Sequence, residues 1–124
     1  MTILIIWLLF VHWVADFILQ SHEIATSKWK CLPSLLWHAL IYTSILYIGS
    51  AFTSWPPYTW DTRLQHAMIF SATNGILHLI VDFCSSKVTH YLFSKQDWHN
   101  GFVIVGLDQL IHTSVIIMSA TYML

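Results

Sequence analysis

Four long apolar segments, separated by short polar connections, constrain the fold of this chain most strongly. They cover residues 2–20, 33–52, 64–84 and 101–122. An α-helix needs about 20 apolar residues to cross the hydrocarbon core of a bilayer, and a lone strand cannot satisfy its backbone hydrogen bonds in lipid. Only 9% of the residues are charged, whereas soluble domains carry about 25%. We therefore predict an all-α polytopic membrane protein, in which a bundle of four transmembrane helices forms one domain over residues 1–124.

Basic residues in the connections predict the orientation of these helices. The first and third connections, residues 21–32 and 85–100, hold four of the five basic residues: Lys28, Lys30, Lys87 and Lys95. The middle connection, residues 53–63, holds only Arg63. Lysine and arginine are in excess in cytoplasmic loops. We therefore expect the first and third connections in the cytoplasm and both termini in the periplasm of a bacterial inner membrane.

Three residue signals predict where the helices begin and end. Pro33 suits the first turn of the second helix, because proline lacks the N–H that is unpaired there in any case. The pair Pro56-Pro57 should stop a helix in the middle connection. Asp97 or Asn100 should cap the fourth helix.

Three pairs of histidine and aspartate lie inside the apolar segments, and the two members of each pair are four positions apart. The pairs are His12 with Asp16, His78 with Asp82, and Asp108 with His112. One aspartate at the centre of a transmembrane helix costs about 2.5–3.5 kcal/mol. Three such carboxylates need interactions that offset this cost. The two candidates are a bound metal ion and a mutual His–Asp hydrogen-bond network.

The depth of these residues predicts that they meet. Residues four apart share one face of a helix, so each pair forms a polar stripe, and His38 supplies a polar residue on the second helix. At a rise of about 1.5 Å per residue, Asp16 and His38 lie roughly 7 Å from the cytoplasmic edge and Asp82 lies about 5 Å from it. We expect the stripes of all four helices to converge in the cytoplasmic half of the bundle.

The residue types in this cluster favour a metal site with nitrogen and oxygen ligands. Six residues are candidate ligands: His12, Asp16, His78, Asp82, Asp108 and His112. A set without thiolates favours Zn, Fe or Mn and is larger than one tetrahedral zinc requires. It suits one divalent ion with supporting partners, or two ions about 3.5–4 Å apart. His38 is predicted either as a further ligand or as a catalytic general acid/base.

Three amides near the pairs are candidate supporting residues. Gln20, Asn74 and Gln109 lie on or beside the polar stripes and could orient the ligands. Asn74 and Gln109 suit helix–helix contacts equally well. The small pair Ser71-x-x-x-Gly75 is typical of close helix packing, either within the bundle or in a homo-oligomer.

Four motifs, in this order along the chain, carry a family resemblance. They are His12-Trp-Val-Ala-Asp16-Phe-Ile-Leu-Gln20, Leu-Trp-His38-Ala-Leu-Ile-Tyr, His78-Leu-Ile-Val-Asp82 and Asp108-Gln109-Leu-Ile-His112. Over nearly its whole length the chain resembles the small bacterial and phage membrane proteins of the domain-of-unknown-function family 3307. The resemblance implies a four-helix integral membrane protein without an established activity, and it is compatible with a phage-encoded source. A looser resemblance to membrane-bound metal-dependent hydrolases exists, although this chain lacks their Thr-His-Ser type motif.

Three classes of function follow from these features. The first is a metal-binding membrane protein that acts as a hydrolase on a lipid headgroup, a lipid-linked molecule or a membrane peptide. The second is a transporter or pathway for protons or metal ions, since intramembrane His and Asp also form relays. The third is a phage or bacterial scaffold whose His–Asp network is structural. The formal net charge of −1 gives no electrostatic support for nucleic-acid binding.

Overall fold

The computed structural model describes residues 1–53 and 59–124, and these residues form helices joined by short connections. In chain order the helices are α1 (Thr2–Trp13), α2 (His22–Ser27), α3 (Leu32–Ala51), α4 (Trp60–Ser94) and α5 (Trp98–Met123). A π-helical segment of 5 residues, Val14–Ile18, continues α1. The described residues contain no β-strand, so the predicted all-α class is confirmed.

Three helices, α3, α4 and α5, are long and apolar enough to cross a membrane. Large apolar side chains also face outward from them, and Ile69 and Leu110 are 58% and 62% exposed. A helix that is apolar on all sides is typical of a membrane span. The first apolar segment, predicted as a helix over residues 2–20, is a shorter apolar helix over Thr2–Ile18. At about 1.5 Å per residue its length is about 25 Å, against a hydrocarbon core of about 30 Å.

The helix α4 is longer than predicted. It begins at Trp60 and ends at Ser94, so the prediction that residues 85–100 form a connection is wrong for most of that range. Residues 85–94 contain no proline or glycine, and polar residues do not stop a helix that has left the apolar layer. The helix ends where Gln96 takes a positive φ of 61°, in the left-handed region that closes many helices. The predicted stop at Pro56 and Pro57 lies outside the described residues.

The next helix, α5, begins at a cap that the sequence predicts. The Asn100 backbone N–H donates to the Asp97 carboxylate at 3.3 Å, and the Asn100 side-chain amide donates to it at 2.8 Å. These hydrogen bonds stabilise the charged carboxylate and lower the pKa of Asp97 below its usual value, the side-chain bond most strongly. The predicted cap is therefore confirmed, with Asp97 in that position. Pro33 likewise lies in the first turn of α3, as predicted.

The connection before α3, predicted as a polar loop over residues 21–32, contains the helix α2. Ser21 caps this helix by accepting a hydrogen bond from the Ile24 backbone N–H at 3.3 Å, and Glu23 in its first turn suits the helix dipole. The Ser27 hydroxyl donates to Ser34 at the start of α3 at 2.9 Å. The following Trp29 ring stacks on His90 of α4 at 3.5 Å. These contacts hold α2 against one end of the bundle.

The four long helical segments form a ring in which α1 contacts α3 and α5, and α4 contacts the same two helices. Neighbouring helices run antiparallel. The Trp7 indole N–H near the start of α1 donates to the Gly49 carbonyl near the end of α3 at 2.9 Å. His66 near the start of α4 lies 2.7 Å from the Met123 carbonyl at the end of α5. These four chain positions therefore lie at one end of the bundle.

That end of the bundle is filled by an apolar core. The core consists of nine buried side chains: Leu4, Leu8, Val11, Ala15, Tyr42, Leu46, Phe70, Ile116 and Ala120. They come from every long helix, so apolar packing joins all four helices in this half of the ring. The opposite half encloses the buried histidines and aspartates: His12, Asp16, His38, His78, Asp82 and His112.

The small pair Ser71-x-x-x-Gly75 brings α4 close to α3. A Cβ atom at Gly75 would overlap the Thr43 hydroxyl oxygen of α3, and Ser71 is buried. A glycine at this position lets the two backbones approach. The predicted close packing of this motif therefore occurs within the bundle.

Candidate metal centre

Three neighbouring parts of the bundle bring four buried side chains to one point. Asp16 comes from the π-helical segment, His38 from α3, and His78 and Asp82 from α4. All four are at most 4% exposed. A π-helical turn inserts an extra residue into a helix and occurs often at functional sites, and Asp16 lies within this one.

Five distances between the ligand atoms of these residues describe a compact group. The His38 Nε2 atom lies 3.0 Å from the Asp16 Oδ1 atom, 3.0 Å from His78 Nε2 and 3.4 Å from Asp82 Oδ2. The His78 Nε2 atom lies 3.5 Å from Asp16 Oδ1 and 3.6 Å from Asp82 Oδ2. Four ligands at about 2.0–2.1 Å from a tetrahedral zinc are roughly 3.3 Å apart. These four atoms could hold a metal ion.

The histidine protons do not pair all four of these atoms with one another. An imidazole nitrogen carries at most one proton, but the His38 Nε2 atom faces one nitrogen and two oxygens within 3.4 Å. The Nδ1 atoms of His38 and His78 are buried and have no hydrogen-bond partner among the described residues. The two rings are therefore not held by a hydrogen bond on their other nitrogen. A cation at the centre would accept an electron pair from all four ligand atoms at once.

Asp82 joins this group to a second one. Its Oδ2 atom faces His38 and His78, whereas its Oδ1 atom lies 3.3 Å from the His112 Nε2 atom. That nitrogen also lies 3.5 Å from the Asp108 Oδ2 atom. Asp82, Asp108 and His112 form a further set that could hold a metal ion. A carboxylate shared by two ligand groups is the arrangement expected of paired metal sites.

The remaining predicted ligand, His12, lies beside these groups. Its Nε2 atom is 3.1 Å from the Gln109 Oε1 atom. The Gln109 amide in turn donates to Asp16 at 2.8 Å and to Asp108 at 3.1 Å. Gln109 therefore links both carboxylates, which fits its predicted supporting role, and His12 fixes the orientation of that amide.

The other two predicted supporting residues lie elsewhere. Asn74 donates to the Phe70 carbonyl and to the Ser119 hydroxyl of α5, each at 2.8 Å. This is the helix–helix contact that the sequence predicted as one of two possible roles of Asn74. The Gln20 Nε2 atom is buried without a hydrogen-bond partner among the described residues, and Gln20 lines a cleft beside the ligand groups.

Three further residues contact the ligands. The Lys28 ammonium donates to the Asp82 Oδ2 atom at 2.7 Å, a contact that the sequence did not predict. The Ser85 hydroxyl donates to Asp108 at 2.5 Å. Tyr42 stacks on the His78 ring with the centroids 3.8 Å apart. Ser85 follows Asp82 by three positions, so a longer predicted α4 would have placed it on the same face. No pattern in the sequence indicates Lys28.

Comparison with known proteins places the chain in a family but supplies no function. No curated protein and no solved structure matches it. One family profile matches residues 4–124, nearly the whole chain, and is described as a protein of unknown function (DUF3307). The resemblance seen in the four sequence motifs is therefore confirmed, and the chain belongs to the DUF3307 family.

Proposed function

We propose that this chain is an integral membrane protein that binds a divalent metal ion, Zn, Fe or Mn, at Asp16, His38, His78 and Asp82. One observation carries the proposal: four ligand atoms, buried in the bundle, lie 3.0–3.6 Å apart in the five measured pairs. Nitrogen and oxygen ligands without a thiolate suit these metals. In this proposal His38 is a ligand rather than a general base, because its Nε2 atom is part of the group.

The membrane topology of the proposal has four spans, with the metal centre in the cytoplasmic half. The three long apolar helices and the shorter apolar helix Thr2–Ile18 pack into one ring, so a membrane crossed by three of them would surround the fourth. Basic residues support a cytoplasmic position for α2 and for the turn between α4 and α5. A short helix is accommodated by local thinning of the bilayer or by snorkelling of its flanking residues.

The chemistry that suits this centre best is hydrolysis of a membrane-associated substrate. A divalent metal ion lowers the pKa of a bound water toward 7. With a metal ion held by Asp16, His38, His78 and Asp82, the adjacent pair Asp108 and His112 would take the proton of the attacking water and return it to the leaving group as the bond to that group breaks. The cleft at Asp16 and Asp108 supports this proposal, because a hydrolase needs a route for its substrate.

The transport alternative requires a polar path across the whole bundle. On the far side of Tyr42 the space between the helices is occupied by the apolar core, including Leu46, Phe70 and Ile116, which are fully buried. A closed apolar layer favours a site with access from one side. The scaffold alternative requires a self-sufficient hydrogen-bond network. Lys28 and Gln109 do donate to the two carboxylates, but the His38 and His78 Nε2 atoms face each other at 3.0 Å and their Nδ1 atoms have no partner among the described residues, which disfavours this alternative.

The test is the metal content of the purified protein. The chain would carry a tag without histidine and be purified in mild detergent, and its metals would be quantified by mass spectrometry. We expect near-stoichiometric metal in the wild type and a loss of most of it in His78→Ala. His99→Ala, which alters an exposed histidine of α5, is the control and should retain the metal. A folded wild type without metal would contradict the proposal and favour the scaffold.

A further inference from the structure

A cleft of about 600 Å³ opens beside the metal centre, between α2, the π-helical segment and the facing parts of α4 and α5. Asp16 and Asp108, which belong to the two ligand groups, are among its lining residues. Lys28, Trp29 and His90 are among its other lining residues. The cleft therefore joins the proposed metal ion to the end of the bundle where α2 packs.

Two polar groups in this cleft, from Gln20 and Ser86, are without a hydrogen-bond partner in the described part of the chain. The Gln20 Nε2 atom and the Ser86 hydroxyl oxygen are both buried and have no hydrogen-bond partner among the described residues, and both residues line the cleft. A buried polar atom without a hydrogen bond costs about 1–3 kcal/mol. Two such groups in one cleft beside a candidate reaction centre indicate a ligand that accepts hydrogen bonds.

Lys28 and Lys30 line the cleft, and so do the carboxylates of Asp16 and Asp108. The proposed metal ion would offset the carboxylates, and the two lysines then favour an anionic ligand. Lys28 donates to the Asp82 Oδ2 atom, one of the four atoms proposed to bind the metal. Two cations at one oxygen repel each other, so a bound metal would release the Lys28 ammonium toward the cleft. Its side chain is 17% exposed and has room to turn.

We propose that this cleft binds a phosphate group, through Lys28, the Gln20 amide and the Ser86 hydroxyl, with a phosphate oxygen directed to the metal centre. This inference rests on the proposed metal site. A phosphate offers several strong acceptor oxygens and a negative charge, which match one ammonium, one amide and one hydroxyl better than a carboxylate with two oxygens does.

The apolar lining residues of the cleft suit the apolar part of a phospholipid. Phe17, Phe93 and Val105 line the cleft, and Phe17 is 50% exposed on the outer surface of the bundle. An amphiphile could therefore place its phosphate among the donors while its chains remain beside these apolar side chains. The same hydrogen-bond donors would also bind a soluble phosphate ester. The experiment below distinguishes a phospholipid from such a soluble ligand.

Native mass spectrometry of the whole protein in mild detergent tests this inference, because it reports bound lipid and bound metal in the same spectrum. The probes are phosphatidylglycerol, diacylglycerol as a lipid without phosphate, and glycerol phosphate as a phosphate without acyl chains. We expect phosphatidylglycerol to bind at least about 10-fold more tightly than diacylglycerol, the usual effect of one hydrogen bond to a charged group. Glycerol phosphate binding as tightly as phosphatidylglycerol would assign the site to a soluble phosphate and support the same chemistry.

Variants of residues that line the cleft test whether phosphatidylglycerol binds there. Ser86→Ala and Gln20→Glu should each weaken phosphatidylglycerol binding about 10-fold and leave the metal in place. Gln20→Glu keeps the size of the side chain and adds a repelling charge, so it remains informative if Ser86→Ala folds poorly. Lys87→Met is the control, because Lys87 lies over the Phe83 ring at 3.6 Å. Equal binding of diacylglycerol, or equal effects of all three variants, would overturn the inference while the metal remained. A wild type without metal would instead overturn the proposed function.

Discussion

The two halves of the bundle are held together in different ways. In the half that contains Leu8, Leu46, Phe70 and Ile116, buried apolar side chains fill the space between the helices. In the other half the same helices place the Asp16, His38, His78 and Asp82 ligand atoms face to face, 3.0–3.6 Å apart in five pairs. Apolar packing dominates the first half, whereas in the second half the Lys28 ammonium and, in our proposal, a metal ion offset the buried carboxylates. Stability and metal binding should therefore be separable by mutation.

The largest effect should come from Asp82→Asn in the polar half. Asp82 belongs to both ligand groups, and asparagine keeps its shape without its charge. Changes to outer partners of a metal typically cost about 10–100-fold in affinity, so we expect loss of this shared ligand to cost more than about 100-fold. Competition with a chelator of known affinity measures the change. An affinity within about 3-fold of wild type would show that Asp82 is not a ligand.

Phe70→Ala should lower the stability of the protein and leave its metal binding unchanged, because Phe70 belongs to the apolar core. Removal of a buried aromatic side chain leaves a cavity, and we expect the free energy of unfolding to fall by about 2–3 kcal/mol, less than in water-soluble proteins since lipid is itself apolar. Unfolding in sodium dodecyl sulfate measures this change. The folded fraction should still bind metal as the wild type does, and a parallel loss of metal would remove the distinction between the two halves.

Gly75→Ala changes the contact between α3 and α4 near the junction of the two halves. The added methyl group would overlap the Thr43 hydroxyl, and overpacking of this kind costs about 1–3 kcal/mol. Because His78 lies one helical turn further along α4, metal affinity should fall as well. Gly106→Ala is the matched control, since nothing lies within 4 Å of a Cβ atom there. Equal unfolding curves for the two variants would contradict the close approach.

Ser119→Ala should have the smallest effect. It removes the hydrogen bond between Asn74 and Ser119, but the Asn74 amide still donates to the Phe70 carbonyl. Hydrogen bonds between helices in membranes contribute about 0.6 kcal/mol, and we expect a loss of that size in the same unfolding assay. A loss above about 2 kcal/mol would mean that polar contacts rather than packing hold this half together.

The sequence predicted the existence of the helices better than their ends. Apolar length alone identified α3, α4 and α5, because the bilayer sets that length. It did not reveal that α4 continues to Ser94, since polar residues after a span are equally compatible with a helix or a loop. The helix α2 was also missed, because its position depends on contacts with other helices, such as the stacking of Trp29 on His90.

For the candidate site, the spacing of His and Asp found the residues but not their partners. The pattern paired His12 with Asp16 on one helix face. The structure instead pairs Asp16 with His38 of α3 and Asp82 with His112 of α5. Contacts between helices depend on how each helix is rotated in the ring, and the π-helical segment changes that rotation at Asp16. A single sequence carries no signal of this rotation.

X-ray absorption spectroscopy of the metal-loaded protein tests the metal centre most directly. The four-residue group predicts a first shell of nitrogen and oxygen atoms at about 2.0–2.1 Å, with the outer scattering of two imidazole rings from His38 and His78. A shell with sulfur at about 2.3 Å would place the metal at Cys31 or Cys84, which are free thiols outside the group. That result, or a folded protein that takes up no metal, would contradict the assignment of Asp16, His38, His78 and Asp82 as a metal centre.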